Sequence, residues 1–216
     1  VLATYFFYTR SRLATIAAQA QEAQRHAAQA QLRLLESQLE PHMLFNTLAN
    51  LRSLVDDDPT QAKHMIDQLI TYLRSALAGS RSDTTTLRAE FAQLAAYLEI
   101  MSLRLGRRLR YQLDLPEALQ QATVPAMLLQ PLVENAIKHG IEPKIGGGAI
   151  AVTARSTNGS LELEVADTGL GLPPDHDPDH SSDSYGLVHV RDRLRALYGS
   201  HASLRLQANK PQGTLA

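Results

Sequence analysis

Cysteine is absent from the 216 residues, which excludes disulfide scaffolds, zinc ribbons and thiol catalysis and fits a reducing compartment. An excess of charge of either sign is also missing. Lys and Arg number 21 against 22 Asp and Glu, for a formal net charge of -1. A nucleic-acid partner normally requires a basic excess or stripe, so none is expected. Long apolar runs are lacking too. The opening VLATYFFYTRSR falls far short of the ~20 residues that span a bilayer, and it lacks the charged front end of a signal peptide. What remains is 44% hydrophobic and 20% charged, which provides a core for one large domain or two modest ones and argues against global disorder.

The two ends carry their own signals. Tyr5, Phe6, Phe7 and Tyr8 are followed by Arg10 and Arg12. Aromatic residues favour the membrane interface and basic ones its inner side, so residues 1–12 are expected to be the cytoplasmic end of a membrane segment. A frayed amphipathic terminus is the alternative. The closing GTLA reads as a strand that stops short, and a fragment of a larger membrane protein is expected.

From Leu13 to Val55 apolar residues follow a heptad. Leu13, Ala20, Ala27, Leu34, Pro41, Leu48 and Val55 form one series; Ile16, Ala23, Ala30, Ser37, Leu44 and Leu51 form the other. This is a coiled-coil seam. Asp58 and Pro59 supply an N-cap and first-turn proline for a second helix, with Ile66, Leu69, Ile70, Leu73 and Leu77 on one face and a stop near Gly79. The short connection folds the two helices into an antiparallel hairpin over residues 13–80. One hairpin cannot cover both sides of the seam, so a homodimeric four-helix bundle is expected.

A polar linker, 81–86, precedes a change of period. A helix is expected from Leu87 to Leu105, a strand at LRYQLDL, and helical spacing again over 127–139. Two strands flank the Asn158-Gly159 turn. A helix with Leu187, Val190, Leu194 and Leu197 inward and a final strand pair complete the chain. Residues 87–216 therefore predict an α+β sandwich with helices on one face of the sheet.

Three stretches carry candidate chemistry. In QLEPHMLFNTL, Pro41 removes a helical donor and bends the helix at a cost of roughly 3 kcal/mol or more, beside His42. Imidazole is nucleophilic near neutral pH. Glu40 or Asn46 is placed to hold one ring N–H and leave the other nitrogen free to attack. In LLQPLVENAIKHG, the pairs Glu134/Lys138 and Asn135/His139 stand four apart on a helical stripe. An amide oxygen suits Mg²⁺ and a lysine suits phosphate. In VADTGLGL, Asp167 ends a buried strand before Gly169 and Gly171, which let the backbone turn tightly, and its carboxylate can accept from an exocyclic amine such as adenine's. The polar stretch from Pro173 to Tyr185 has the composition of a lid. It leads to Gly186 before a helix N-terminus, a natural phosphate site.

In this order these stretches resemble the bacterial sensor histidine kinases of the LytS/AlgZ type, over about residues 30–216. QLEPHMLFNTL resembles that family's phosphoacceptor motif, VPAMLLQPLVENAIKHGI its N box, VADTGLGL its first glycine box and YGLVHVRDRL the end of its second. The resemblance implies a dimerisation hairpin joined to an ATP-binding domain of the Bergerat (gyrase–Hsp90–kinase–MutL) fold, and a response regulator as partner. It implies that His42 accepts the phosphoryl group, Asn135 holds Mg²⁺, Glu134 assists nearby and Lys138 contacts phosphates, with His139 also at the nucleotide. It further implies that Asp167 binds adenine, Gly169 and Gly171 shape the pocket, and Gly186 is the hinge of the lid. Two departures stand out. Met43 follows the histidine where many histidine kinases have an acidic residue, so Glu40 and Asn46 remain the candidates to orient it. Ser182 and Ser184 replace two glycines of the second glycine box, where φ > 0 becomes costly. They keep open the alternative of a degenerate ATP-binding scaffold or phosphatase-type partner of a response regulator.

Overall fold

The computed structural model describes residues 41–79, 83–172 and 185–216. The expected membrane end, most of the coiled coil, Glu40 and the bend ahead of Pro41 lie outside the described residues, as do the His42 side chain and the lid with Ser182 and Ser184. The chain divides into two compact units, 1–45 and 46–216. The first is described only over 41–45, the opening turn of helix α1 (Pro41–Asp57); everything that follows concerns the second.

Asp58 separates α1 from α2 (Pro59–Gly79). Its Oδ1 accepts from the backbone N–H groups of Thr60 and Gln61 at 3.1 and 3.0 Å, which satisfies two of the orphan donors of the new helix. The buried face of α2 matches the expected one only in part, at Leu69 and the half-buried Leu73. Ala62, Met65, Leu69 and Tyr72 are buried, whereas Ile66 and Ile70 are 39% and 43% exposed. The helix carries two apolar stripes, and α3 (Leu87–Leu105) covers the one that includes Met65 and Tyr72. Tyr72 meets Tyr97 of α3 with ring centroids 5.7 Å apart and planes tilted by 41°, a favourable offset geometry.

Part of the expected linker is structured. Thr84–Thr86 forms β1, paired antiparallel with β3 (Thr123–Pro125). The Thr86 hydroxyl then caps α3 by accepting from Ala89 N–H at 3.3 Å. Helix α3 is buried over most of its circumference: Leu87, Phe91, Leu94, Leu98, Ile100 and Met101 are buried, and so are the polar Glu90 and Gln93. Gly106, at φ 58°, ends it in a conformation glycine adopts without strain.

The main sheet is five-stranded, in the order β2-β4-β5-β7-β6, with β2 at Leu109–Asp114, β4 at Gly148–Thr157, β5 at Ser160–Asp167, β6 at Gln207–Ala208 and β7 at Thr214–Leu215. The β4–β5 hairpin turns at Asn158 and Gly159 with φ of 53° and 80°, both positive as a type I′ turn requires. The β2–β4 pair is parallel, which needs a crossover. That crossover contains β3 and the helical turns built from the N box. Val152 pairs with Val165 and Ile150 with Asp167, so the two-residue period of the strand puts Asp167 on the same buried face as Val165.

The last helix, α5 (Tyr185–Tyr198), buries Leu187 and Val190, but Leu197 is 47% exposed, so the inward stripe is shorter than expected. Arg193 fastens α5 to the small sheet by donating to Ala126 O at 2.5 Å and Asp83 O at 3.0 Å. Among the described residues no helix is long and apolar enough to cross a membrane. Because Met65 is wholly buried and Ile66 is not, Met65→Ala should lower the unfolding free energy by about 2–5 kcal/mol in urea titrations, and Ile66→Ala by well under half of that.

Candidate functional site

The N box folds as a short α4 (Gln130–Asn135) that widens into π-helical turns over Ala136–Ile141. Glu142 N–H reaches Ile137 O at 2.8 Å, the i→i−5 bond that marks the wider turn. A loop held by a buried carboxylate leads into it. Glu90 of α3 accepts from Met127 N–H and Leu129 N–H, both at 3.0 Å. Burial raises its pKa above the ordinary glutamate value despite those bonds. The clasp holds Met127 at φ 56°, a left-handed conformation that costs a non-glycine residue about 1 kcal/mol or more.

The π-helical turns present Gly140 to the end of β5, where backbone lies on backbone. A Cβ on Gly140 would sit 3.0 Å from Asp167 Oδ1, and one on Gly169 only 2.4 Å from the Gly140 backbone. Leu170 N–H donates to Gly140 O at 3.1 Å, closing the contact. From the other side Gly213, at φ 129°, comes so near that a Cβ would meet Asp167 O at 1.9 Å. Gly171, at φ 84°, needs its glycine for the left-handed turn. Lys144 Nζ donates to Thr168 O at 2.5 Å and Gly169 O at 3.2 Å, and Ala149 N–H donates to Thr168 Oγ1 at 2.9 Å.

Asp167 is 3% exposed. Burial raises its pKa, and hydrogen bonds from Gly169 and Thr214 with the nearby Lys144 charge offset part of that rise. Gly169 N–H donates to its Oδ1 at 2.7 Å, and Asn209 Nδ2 to its backbone oxygen at 2.7 Å. A small cavity opens here, lined by Leu132, Asn135, Asp167, Leu187 and Thr214 among others. The predicted residues are therefore brought together in part. Asn135 and Asp167 share the cavity wall; Gly169 and Gly171 are not among its lining residues, although Gly169 N–H bonds the Asp167 carboxylate. Lys138 and His139 are exposed and do not line it. Glu134 is half-buried and accepts from Gln130, its neighbour one turn back, at 2.7 Å. Gly186 opens α5 against Pro131, whose Cβ lies 3.2 Å from where its own would be.

The cavity wall is mostly apolar, with one buried carboxylate, Asp167, that can accept a hydrogen bond from a ligand N–H. Among the described residues no cluster of three acidic or histidine side chains is present for a metal. Asn135, on the cavity wall, carries an amide oxygen of the kind a hard cation accepts. Sequence reasoning missed Glu90, Gln130, Gly140, Lys144, Gly213 and Thr214. Gln130 and Gly140 stood inside the quoted N box, and for Gly140 a bare glycine within a helical pattern was the available signal.

Two family models match the chain in succession: histidine kinase over residues 30–109, and histidine kinase-, DNA gyrase B- and HSP90-like ATPase over residues 121–215. The chain belongs to the histidine kinase family. It is 34% identical over 207 residues to an uncharacterized sensor-like histidine kinase of Staphylococcus epidermidis, covering 90% of this chain and 39% of that protein. Against sensor histidine kinase BtsS of Escherichia coli the identity is 36% over 171 residues, covering 79% of this chain and 30% of the other. Against sensor protein LytS of Bacillus subtilis it is 31% over 193 residues, covering 86% and 32%. The chain thus spans about a third of the length of the curated relatives it matches.

Gly169→Ala forces a Cβ into the Gly140 backbone. It should lower unfolding free energy by about 1–3 kcal/mol in denaturant titrations, whereas Gly159→Ala, with open space around its Cβ, should lose only the strain of its positive φ.

Proposed function

We propose that this chain is the kinase portion of a two-component sensor, which binds ATP in the cavity beside Asp167 and phosphorylates itself on His42. The observation that carries the reading is a buried carboxylate in a glycine cradle beside Asn135, in a chain that also holds a proline-flanked histidine at the start of a helical hairpin. Asp167 would accept a hydrogen bond from the adenine amine, Asn135 would supply an oxygen to Mg²⁺ with Glu134 assisting, and Lys138 and His139, exposed outside the cavity, would contact the phosphates. Gly169 and Gly171 let the backbone approach the base, and Gly186 lies at the hinge of the lid.

The imidazole nitrogen of His42 attacks the γ-phosphorus as the bond to the β-phosphate oxygen breaks. ADP leaves, and the imidazole loses its N–H proton to solvent or to Glu40, with Asn46 as the alternative orienter of the ring. The phosphoryl group then passes to an aspartate of a response regulator. Phosphoryl transfer depends mainly on alignment and charge stabilisation.

The exposed apolar residues of the hairpin support a homodimer. Leu48, Val55, Ile66 and Ile70 are all open to solvent in the single chain, and Leu48 and Val55 belong to the heptad seam. A second copy that buries these residues completes a four-helix bundle. We place this portion on the cytoplasmic side of an inner membrane, with residues 1–12 as the end of a membrane segment and its juxtamembrane continuation.

Incubation with labelled ATP and Mg²⁺ tests the kinase reading. Acid-labile, base-stable label is expected on the wild type and neither on His42→Ala nor on Asn135→Ala. Bound nucleotide without label would instead favour a degenerate scaffold. Ile70→Glu should shift the protein from dimer to monomer in analytical ultracentrifugation, with helicity retained; an unchanged dimer would remove Ile70 from the interface.

A further inference from the structure

A buried chain of polar groups runs from the hairpin helix α2 to the N box. Gln130 is 2% exposed and Tyr72 is fully buried. Gln130 Nε2 donates to the Tyr72 hydroxyl oxygen at 2.6 Å and to Glu134 Oε1 at 2.7 Å. Its Oε1 accepts from Gln93 Nε2 of α3 at 2.5 Å. One amide therefore uses both donors and its acceptor, and touches α2, α3 and the carboxylate adjacent to Asn135.

Apolar packing would hold α2 on α3 without any such chain. A buried polar network has a different property: its geometry is set jointly, because each group left unpaired in a low dielectric costs about 1–3 kcal/mol. When α2 lifts, Tyr72 leaves, and the freed Gln130 N–H either stays unpaired at a cost or is re-paired by rotating the amide. Rotation towards a new acceptor turns the amide away from Glu134.

We propose that Gln130 is a positioning residue, holding Glu134 in its working orientation only while Tyr72 of α2 is seated, so that seating of the hairpin helix and nucleotide binding are coupled. The proposal rests on the reading of Glu134 and Asn135 as part of the nucleotide site. Coupling of this kind is reciprocal: nucleotide at the N box must in turn steady α2.

Two conservative substitutions test it. Tyr72→Phe keeps the ring and removes the hydroxyl; Gln130→Met keeps the length and removes the amide. Amide hydrogen exchange of α2 is followed with and without a saturating non-hydrolysable ATP analogue and Mg²⁺, alongside thermal midpoints and autophosphorylation rates. In the wild type the analogue should slow exchange in α2 by about fivefold, the factor equivalent to one net hydrogen bond. Either variant should lose that slowing although the analogue still binds, and label at a rate lower by about the same factor. The double variant should be no worse than Gln130→Met alone, as expected for groups acting in one chain. Analogue-dependent slowing that persists in both variants would overturn the proposal. So would a fall in thermal midpoint that alone accounts for the loss, since a purely structural contact does that. A wild type that takes up no label fails the kinase reading, while the exchange comparison still decides the coupling.

Discussion

Close contact of backbone with backbone around Asp167 is the constraint on which the nucleotide-domain architecture depends. Three glycines, 140, 169 and 213, bring the N-box turns and the loop before β7 to the end of β5, and at 169 and 213 the distances are ones that a single methyl group would prevent. That proximity buries the carboxylate, and burial raises its pKa. A buried acceptor of this kind discriminates strongly, because a ligand that fails to donate leaves it unpaired. The packing that fixes the fold at this point also fixes the chemistry.

A second clasp prepares the same site from the other side. Glu90 takes two backbone N–H groups just before α4, while Arg193 takes the carbonyl of Ala126 in the same loop. The loop is thus held by opposite charges acting on donors and acceptors within a few residues of one another, and Arg193 in turn lowers the cost of the Glu90 charge. Neither side chain reaches the cavity. Both decide where Asn135 stands.

Much of this was legible in the sequence because local chemistry and global fold agree. Asp58-Pro59, Asn158-Gly159 and the span of Leu87–Leu105 each announce themselves by capping, turn geometry or period, and tertiary contacts do not override them. The failures have equally physical causes. Ile66 and Ile70 drew attention to one face of α2, while Ala62, Met65 and Tyr72, smaller or more polar on a hydropathy scale, make the intramolecular contact. The parallel β2–β4 pairing was hidden because partners set by a crossover leave no trace in either strand's own pattern. Thr84–Thr86 looked like linker because a three-residue strand is too short to show alternation. Glu90 and Gln130 could not be placed, since a buried polar residue is defined by partners far away in the chain.

The π-helical turns at Ala136–Ile141 make the length of the N box matter as much as its composition. Each residue of an α-helix advances the next by about 100° around the axis, so a wide turn keeps Gly140 pointing at Asp167 only by accommodating one residue more than a regular helix would. Deletion of any single residue between 136 and 139 would let the segment relax to ordinary helix and rotate Gly140 off the end of β5. A bulkier neighbour would then face Asp167. The glycine contact is therefore written in the spacing of this stretch, and sequences that preserve every side chain of the box but not its count would lose the pocket.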